Sequence, residues 1–170
     1  SEIGITMHHR ISLYNNSVTD ISNLNILDLI PNVNDKTVSM VMSPAEPVRA
    51  LRTSTFKMTL DGPITVPNGF KVLYTTEALG EDMAVFYSDA LWSSTPEDYR
   101  EVTAFKVILE AGSTLKSGQE VIIDVGFEIP KDLDLKNSDK AVNSFGVATT
   151  SNLNFFESNY STVDIVKYNV

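Results

Sequence analysis

Cysteine is missing altogether from the 170 residues, which removes disulfides, thiolate metal sites and a cysteine nucleophile together. Long hydrophobic runs are missing too. No stretch approaches the roughly 18 consecutive apolar residues from which a membrane-spanning helix is read. Basic residues are the minority, 13 Lys and Arg against 22 Asp and Glu, for a formal net charge of −9. That balance repels a nucleic-acid backbone and an anionic lipid surface, so neither a nucleic acid nor a membrane is expected as a partner. Histidine is scarce, and His8 and His9 are adjacent. On a strand they point to opposite faces and cannot share a metal. No Gly-x-Ser-x-Gly elbow and no Gly-rich phosphate loop occurs. The opening Ser1-Glu2 leads into alternating residues with neither a basic nor an apolar leader segment, so the sequence reads as a fragment of a larger protein.

What is present is alternation. Ile5, Met7, His9, Ile11 and Leu13 fall on one face of a period-two strand, and Val121, Ile123, Val125, Phe127 and Ile129 on one face of another. The run Leu24–Ile30 ends at Pro31 and a polar turn. Further strands are expected over Val38–Met42, through Phe56, Met58 and Leu60, and over Phe70–Tyr74, Val102–Glu110, Ala141–Thr149 and Val163–Tyr168. Ser43-Pro44-Ala45-Glu46-Pro47 reads as a loop, because proline removes a ladder donor and fixes φ. Ala111-Gly112 to Gly118-Gln119 reads as the connection of a hairpin. Ser94 with Pro96 and Glu97 has the capping-box spacing of one short helix through about Arg100. Short strands every ten to fifteen residues, with no repeated βα unit, predict one all-β domain over residues 1–170, a two-sheet β-sandwich with one short helix.

The candidate chemistry is sparse. Asp124 and Glu128 share a strand face, but four residues at ~3.3 Å each place them ~13 Å apart, too far for either glycosidase geometry. The loop Lys131–Lys140 offers Asp132, Asp134 and Asp139 as oxygen ligands of the kind calcium prefers. Its three lysines offset that charge, and it lacks the glycine and terminal glutamate of an EF-hand loop. A solvated turn is the competing reading. Trp92 and Tyr99, with Phe86 and Tyr87 nearby, could stack on a sugar ring, although most such aromatics are core.

The order of motifs resembles a repeated adhesive or stalk domain of large wall-anchored surface proteins from Gram-positive bacteria. The residues that carry it are Leu27-Asp28-Leu29-Ile30-Pro31 with Asn34-Asp35, Leu60-Asp61-Gly62-Pro63-Ile64, Val72-Leu73-Tyr74-Thr75-Thr76, Trp92 with Asp98 to Lys106, Leu115 to Gly118, and Ala141 to Phe145. The resemblance covers most of the chain. It implies an immunoglobulin-like sandwich, secretion and tandem display on the cell wall. The favoured role is non-catalytic, structural or adhesive, a module that spaces or presents a host-binding region, with neighbouring domains as partners and a host glycan or matrix protein as candidate ligand; the resemblance itself specifies no ligand. The alternatives are a carbohydrate- or matrix-binding module in its own right and, third, a glycoside-hydrolase-associated domain. Some domains of this kind carry a Lys–Asn isopeptide cross-link assisted by a buried acid. Here that would join Asn143 to Lys57 or Lys106, lysines set in otherwise apolar strands.

Overall fold

The computed structural model describes residues 4–42, 47–79, 84–149 and 155–167. Of the expected loop Ser43–Pro47, residues 43–46 and, further on, the strand end at Tyr168 lie outside the described residues, while Pro47 is not loop but the first residue of a strand, paired with Met42. Twelve strands and one α-helical turn are formed among those described: β1 (Ile5–Tyr14), β2 (Asn25–Leu29), β3 (Lys36–Met42), β4 (Pro47–Leu51), β5 (Thr59–Leu60), β6 (Phe70–Thr75), α1 (Ala84–Tyr87), β7 (Ala104–Leu109), β8 (Glu120–Ile129), β9 (Lys140–Asn143), β10 (Phe145–Ala148), β11 (Phe156–Glu157) and β12 (Ser161–Asp164). They form an all-β sandwich.

One sheet has the order β1-β8-β5 and the other β11-β10-β2-β7-β6, with β9–β12 and β3–β4 as separate two-stranded ribbons. Every pairing is antiparallel, and the registers fix the course of the chain. β1 begins beside Ile129 and ends beside Glu120. β2 comes back to finish with Leu29 beside Ala104, where β7 starts. β12 ends with Asp164 beside Lys140, the first residue of β9. Met58 N–H donates to Pro31 O and Thr59 pairs with Glu128, which ties this basal end of one sheet to the basal end of the other. At the distal end Asn15 N–H donating to Gln119 O extends the β1–β8 ladder, and the Ile21↔Leu115 bridge joins the connection that follows β1 to the one that precedes β8. The described chain therefore enters at Gly4 and leaves by Lys167 at the same, basal, end.

The main core lies between the sheets. Ile11, Val121, Ile123, Val125 and Phe127 from one sheet meet Ile26, Phe105, Val107, Leu109 and Phe70 from the other. The five-stranded sheet is buried on its outer face as well, where Leu27, Leu29, Val38, Phe86, Trp92, Ala104, Ala148 and Phe155 form a second cluster. Double burial explains why β2 is an almost continuous apolar run rather than an alternating one. It also explains Gly146. A Cβ there would lie 2.8 Å from Val38 Cγ1 and 3.0 Å from Phe155 Cβ, so the strand leaves no room for a side chain beneath β3.

Several expectations need correction. The capping box at Ser94 starts no helix; a 3-10 turn forms at Tyr99–Glu101, with the Asp98 side chain accepting from Arg100 N–H. The one α-helical turn lies instead at Ala84–Tyr87. Phe56, Met58 and Leu60 are all buried, but only Thr59–Leu60 joins a ladder, so hydrophobic spacing outran backbone pairing. Residues 141–149 form two strands on either side of Ser144. β7 and β8 belong to different sheets, and the 110–119 connection crosses the distal end instead of closing a hairpin.

The two ends differ in how they reach positive φ. At the distal end the residues are glycines, Gly69 (φ 90), Gly112 (φ 84) and Gly118 (φ 76). At the basal end they are Asn34 (φ 60), Thr53 (φ 68) and Ser138 (φ 75). Threonine in that region is an outlier, because its branched Cβ crowds the backbone at a cost on the order of 1 kcal/mol. The basal end carries strain that its other interactions must offset.

Candidate functional site

Those interactions centre on Arg52. Its side chain is fully buried (0% exposed) beside Asp35 (7%), with Nη2 2.7 Å from Asp35 Oδ2. Nε donates to the same oxygen at 2.9 Å. Nη2 also donates to Leu29 O at 2.7 Å, and Nη1 to Ser144 O at 3.1 Å and Asn143 Oδ1 at 3.3 Å. Asp35 accepts in addition from Ser54 N–H and Ser54 Oγ. One guanidinium thus fastens the end of β2, the 31–35 turn and the β9–β10 junction, which are remote in sequence. Arginine suits this because its planar fork supplies five fixed donors and stays charged.

Next to it, Asn143 Nδ2 donates to Asp28 Oδ2 at 3.0 Å. Asp28 is buried, and its Oδ1 has no hydrogen-bond partner. Burial is the largest influence on it and pushes its carboxyl up to about 7, against the lowering effect of the Asn143 hydrogen bond and of Arg52. Glu157 completes the cluster from β11, accepting from Ser144 Oγ, Val38 N–H, Ser39 N–H and Ser39 Oγ.

Of these residues Asp35 also lines a cleft of about 310 Å³. The 29–36 segment forms one side, and Arg49, Lys57, Leu79, Val102 and Thr103 close it. Arg49 is buried, with Nε donating to Thr37 O at 2.7 Å and its guanidinium 5.6 Å from the Phe86 ring centre.

The residues singled out from sequence are placed as follows. Trp92 is only 8% exposed. Its Nε1 donates to Val85 O, and the Lys106 ammonium lies 4.2 Å from its ring centre. That face is occupied from within, so Trp92 offers no sugar platform. Tyr99 is half-buried and packs edge-on to Tyr74 at 5.2 Å. The Tyr87 side chain lies outside the described residues.

Asp132, Asp134 and Asp139 are not brought together. The Asp139 carboxylate accepts from Lys136 N–H and Thr55 Oγ1 as a local cap, which holds it below the usual carboxylate range. Asp132 faces a separate surface hollow with Lys57, Asp98 and Arg100. Among the described residues no three His, Cys, Asp or Glu side chains are grouped as metal ligands, so the calcium expectation has no site there.

The cross-link expectation meets a similar obstacle. Asp28 pairs with Phe105 and Lys106 with Leu27, so the acid and this lysine stand on opposite faces of the sheet. Lys106 Nζ donates to Phe86 O in the outer cluster, where burial lowers its pKa. Asn143 faces Arg52 where a cross-link would need an amine. A guanidinium is not deprotonated in proteins. Lys57 lines the cleft.

Arg52, Asp35, Asp28 and Glu157 were not singled out in the sequence as site residues. Asp28 had a signal, a carboxylate inside the run Leu27–Ile30. Arg52 had none, since it precedes the loop-like Thr53-Ser54. Compared with protein-family models, curated proteins and solved structures, the chain matches none.

Proposed function

We propose that this chain is a non-catalytic spacing and presenting module of an extracellular, cell-wall-anchored bacterial surface protein, attached by its basal end. The observation that carries this reading is the placement of both chain exits beside Ile129 and Lys140, which leaves the opposite end pointing away from any attachment. The loops of the distal tip are also tied to one another by hydrogen bonds. Asn15 Nδ2 donates to Thr19 O and Leu115 O, Ser117 N–H to Asp20 Oδ1, and Ser117 Oγ to Ser17 O. Val18, at the tip, is 96% exposed. A hydrogen-bonded tip at the end away from both exits fits a role in which the domain holds something away from a surface.

The test is a binding panel of host glycans and extracellular-matrix proteins against the isolated domain, run with calcium and with chelator. A blank panel in both conditions is the outcome expected of a spacer. A saturable hit that is lost on changing Val18 to Asp would replace this reading with a binding module in its own right. Release of product from a glycan would replace it with an enzyme.

A further inference from the structure

The three-stranded sheet ends on β1, and we propose that this edge pairs antiparallel with β1 of a second copy of the chain, about a two-fold axis at His9. The backbone of β1 offers the bonds for it. Asn15 N–H donates to Gln119 O, continuing the register in which Tyr14 faces Glu120. On the far side of β8, Asp61 N–H donates to Gly126 O, so the even residues of β8 turn their backbone to β5 and the odd ones to β1. Backbone groups alternate in direction along a strand. The N–H and C=O of Thr6, His8, Arg10, Ser12 and Tyr14 therefore point away from β8, and among the described residues they meet no hydrogen-bond partner.

The edge is also unguarded. Free strand edges are ordinarily short, bulged, covered, or marked with lysine or proline. β1 is ten residues long, carries neither lysine nor proline, and keeps step with β8 throughout without a bulge. The other edges of the two main sheets differ. β5 and β11 have two residues each, and β6 is bridged at Tyr74 by Ser93. One long free edge per copy gives a closed pair and not a growing sheet.

The residues of β1 select a second copy and its register. Only even residues offer outward backbone groups, so even must face even across the axis. Centring on Arg10 sets two arginines together, an unfavourable cross-strand pair. Centring on His8 or Ile11 pairs fewer residues of the strand. Centring on His9 places Ile5 opposite Leu13 and Met7 opposite Ile11 on the core side, with Thr6 opposite Ser12 and His8 opposite Arg10 on the outer side. The core layer, to which Ile11, Met7 and Leu13 belong, then runs on into the second copy and covers Ile5, 64% exposed in the single chain. Burial lowers the His9 pKa, which lets the two His9 rings meet uncharged. Because β1 runs from base to tip, the base of one copy lies beside the tip of the other. Resting here on the presenting reading, the paired copies belong to proteins that stand on facing surfaces.

The experiment is sedimentation velocity of the chain from about 10 µM to about 1 mM, with backbone amide exchange at both concentrations. It is run at about 0.15 M salt, where repulsion between two acidic copies is screened beyond about 8 Å. The expected result is a monomer at the low end and a dimer at the high end. In the dimer the Thr6, His8, Arg10 and Ser12 amides gain protection, while the odd amides of β1 are protected at both. Ser12→Pro removes an outward N–H and no bond to β8, and is expected to weaken the dimer roughly tenfold or more. Thr6→Cys and Ser12→Cys each supply the sole thiol of a cysteine-free chain. Mixed and oxidised, they are expected to give a cross-linked dimer, whereas either alone gives little, since like positions stand ~20 Å apart in this register. That result stands whether or not the proline variant folds. The proposal is overturned by a chain that stays monomeric at about 1 mM, by association past the dimer, or by protection that bypasses the even amides. Indifference of the dimer to Ser12→Pro, or cross-linking of either single variant as readily as the mixture, overturns it too. Pairing together with a glycan or matrix hit would sink the presenting reading and leave the pairing; a monomer with a blank panel would do the reverse.

Discussion

Arg52 Nη2 sits 2.7 Å from Asp35 Oδ2 with both side chains withdrawn from solvent, whereas Arg10 and Asp124, 3.6 Å apart, form their pair in the open. The two contacts look alike in a list of distances and differ greatly in consequence. Removing one partner of a buried pair strands the other charge without water, at a cost of about 3–5 kcal/mol. Arg52→Ala is therefore expected to lower unfolding free energy by about that amount, aided by the loss of donors to Leu29 O and Ser144 O. Arg10→Ala is expected to change it by less than about 1 kcal/mol. Urea denaturation of both variants checks the contrast. Equal losses would mean that Arg52 is not the clamp described.

Asp28 gives the domain a pH dependence of defined sign. Its carboxyl is raised in the folded state to about 7, so the folded chain holds a proton that the unfolded chain releases between the ordinary carboxylate pKa and about 7. Stability contributed by that proton is fully present below the unfolded value and is lost as pH rises through about 7, at up to about 1.4 kcal/mol per pH unit. His9 tilts the other way, because burial against Phe127 lowers its pKa and favours the folded state at higher pH. The readout is accordingly the difference between wild type and Asp28→Asn at pH 5, 6 and 7. The variant is expected to gain stability relative to wild type as pH rises. A constant difference would show that Asp28 does not titrate in this window.

Trp92 is the one tryptophan, and it reports on the outer cluster. Its emission is expected to be that of a shielded indole, little affected by acrylamide. Trp92→Ala is expected to destabilise the fold by about 3–5 kcal/mol, as for other large buried aromatics. Easy quenching together with a stable Ala variant would return Trp92 to the surface and reopen a stacking role.

Gly146→Ala tests whether β3 really lies on β10. A methyl group has no space between Val38 and Phe155, and overpacking of this kind costs about 1–3 kcal/mol. Thermal unfolding is expected to show that loss. No loss would mean that β3 is displaced from this face.

The strands were legible wherever one physical rule acted alone. β1 and β8 alternate because each has one buried face, and β2 and β7 are continuous because their sheet is covered on both sides. Strand partnership was not legible. Gly112 and Gly118 permit the turns of the 110–119 connection but do not say which sheet receives β8. Lys106 stood out as a cation within Ala104–Leu109, yet the face it takes depends on its register with Leu27, which only pairing across the sheet sets. Trp92 looked like a ligand platform because sequence gives exposure no sign. Arg52 was invisible for a deeper reason. Its partners are residues 29, 35 and 143–144, and no local pattern records a meeting of three segments remote in sequence.

The shared position of the two chain exits has a mechanical consequence. Tension applied through Gly4 and Lys167 would pull outward on the first rung of β1, Ile5 with Ile129, and on the last rung of β12, Asp164 with Lys140. Rungs loaded at the end of a ladder break one after another, unlike rungs sheared along a strand, which must fail together. Such a domain would peel open from its base at modest force while the tip stayed folded longest.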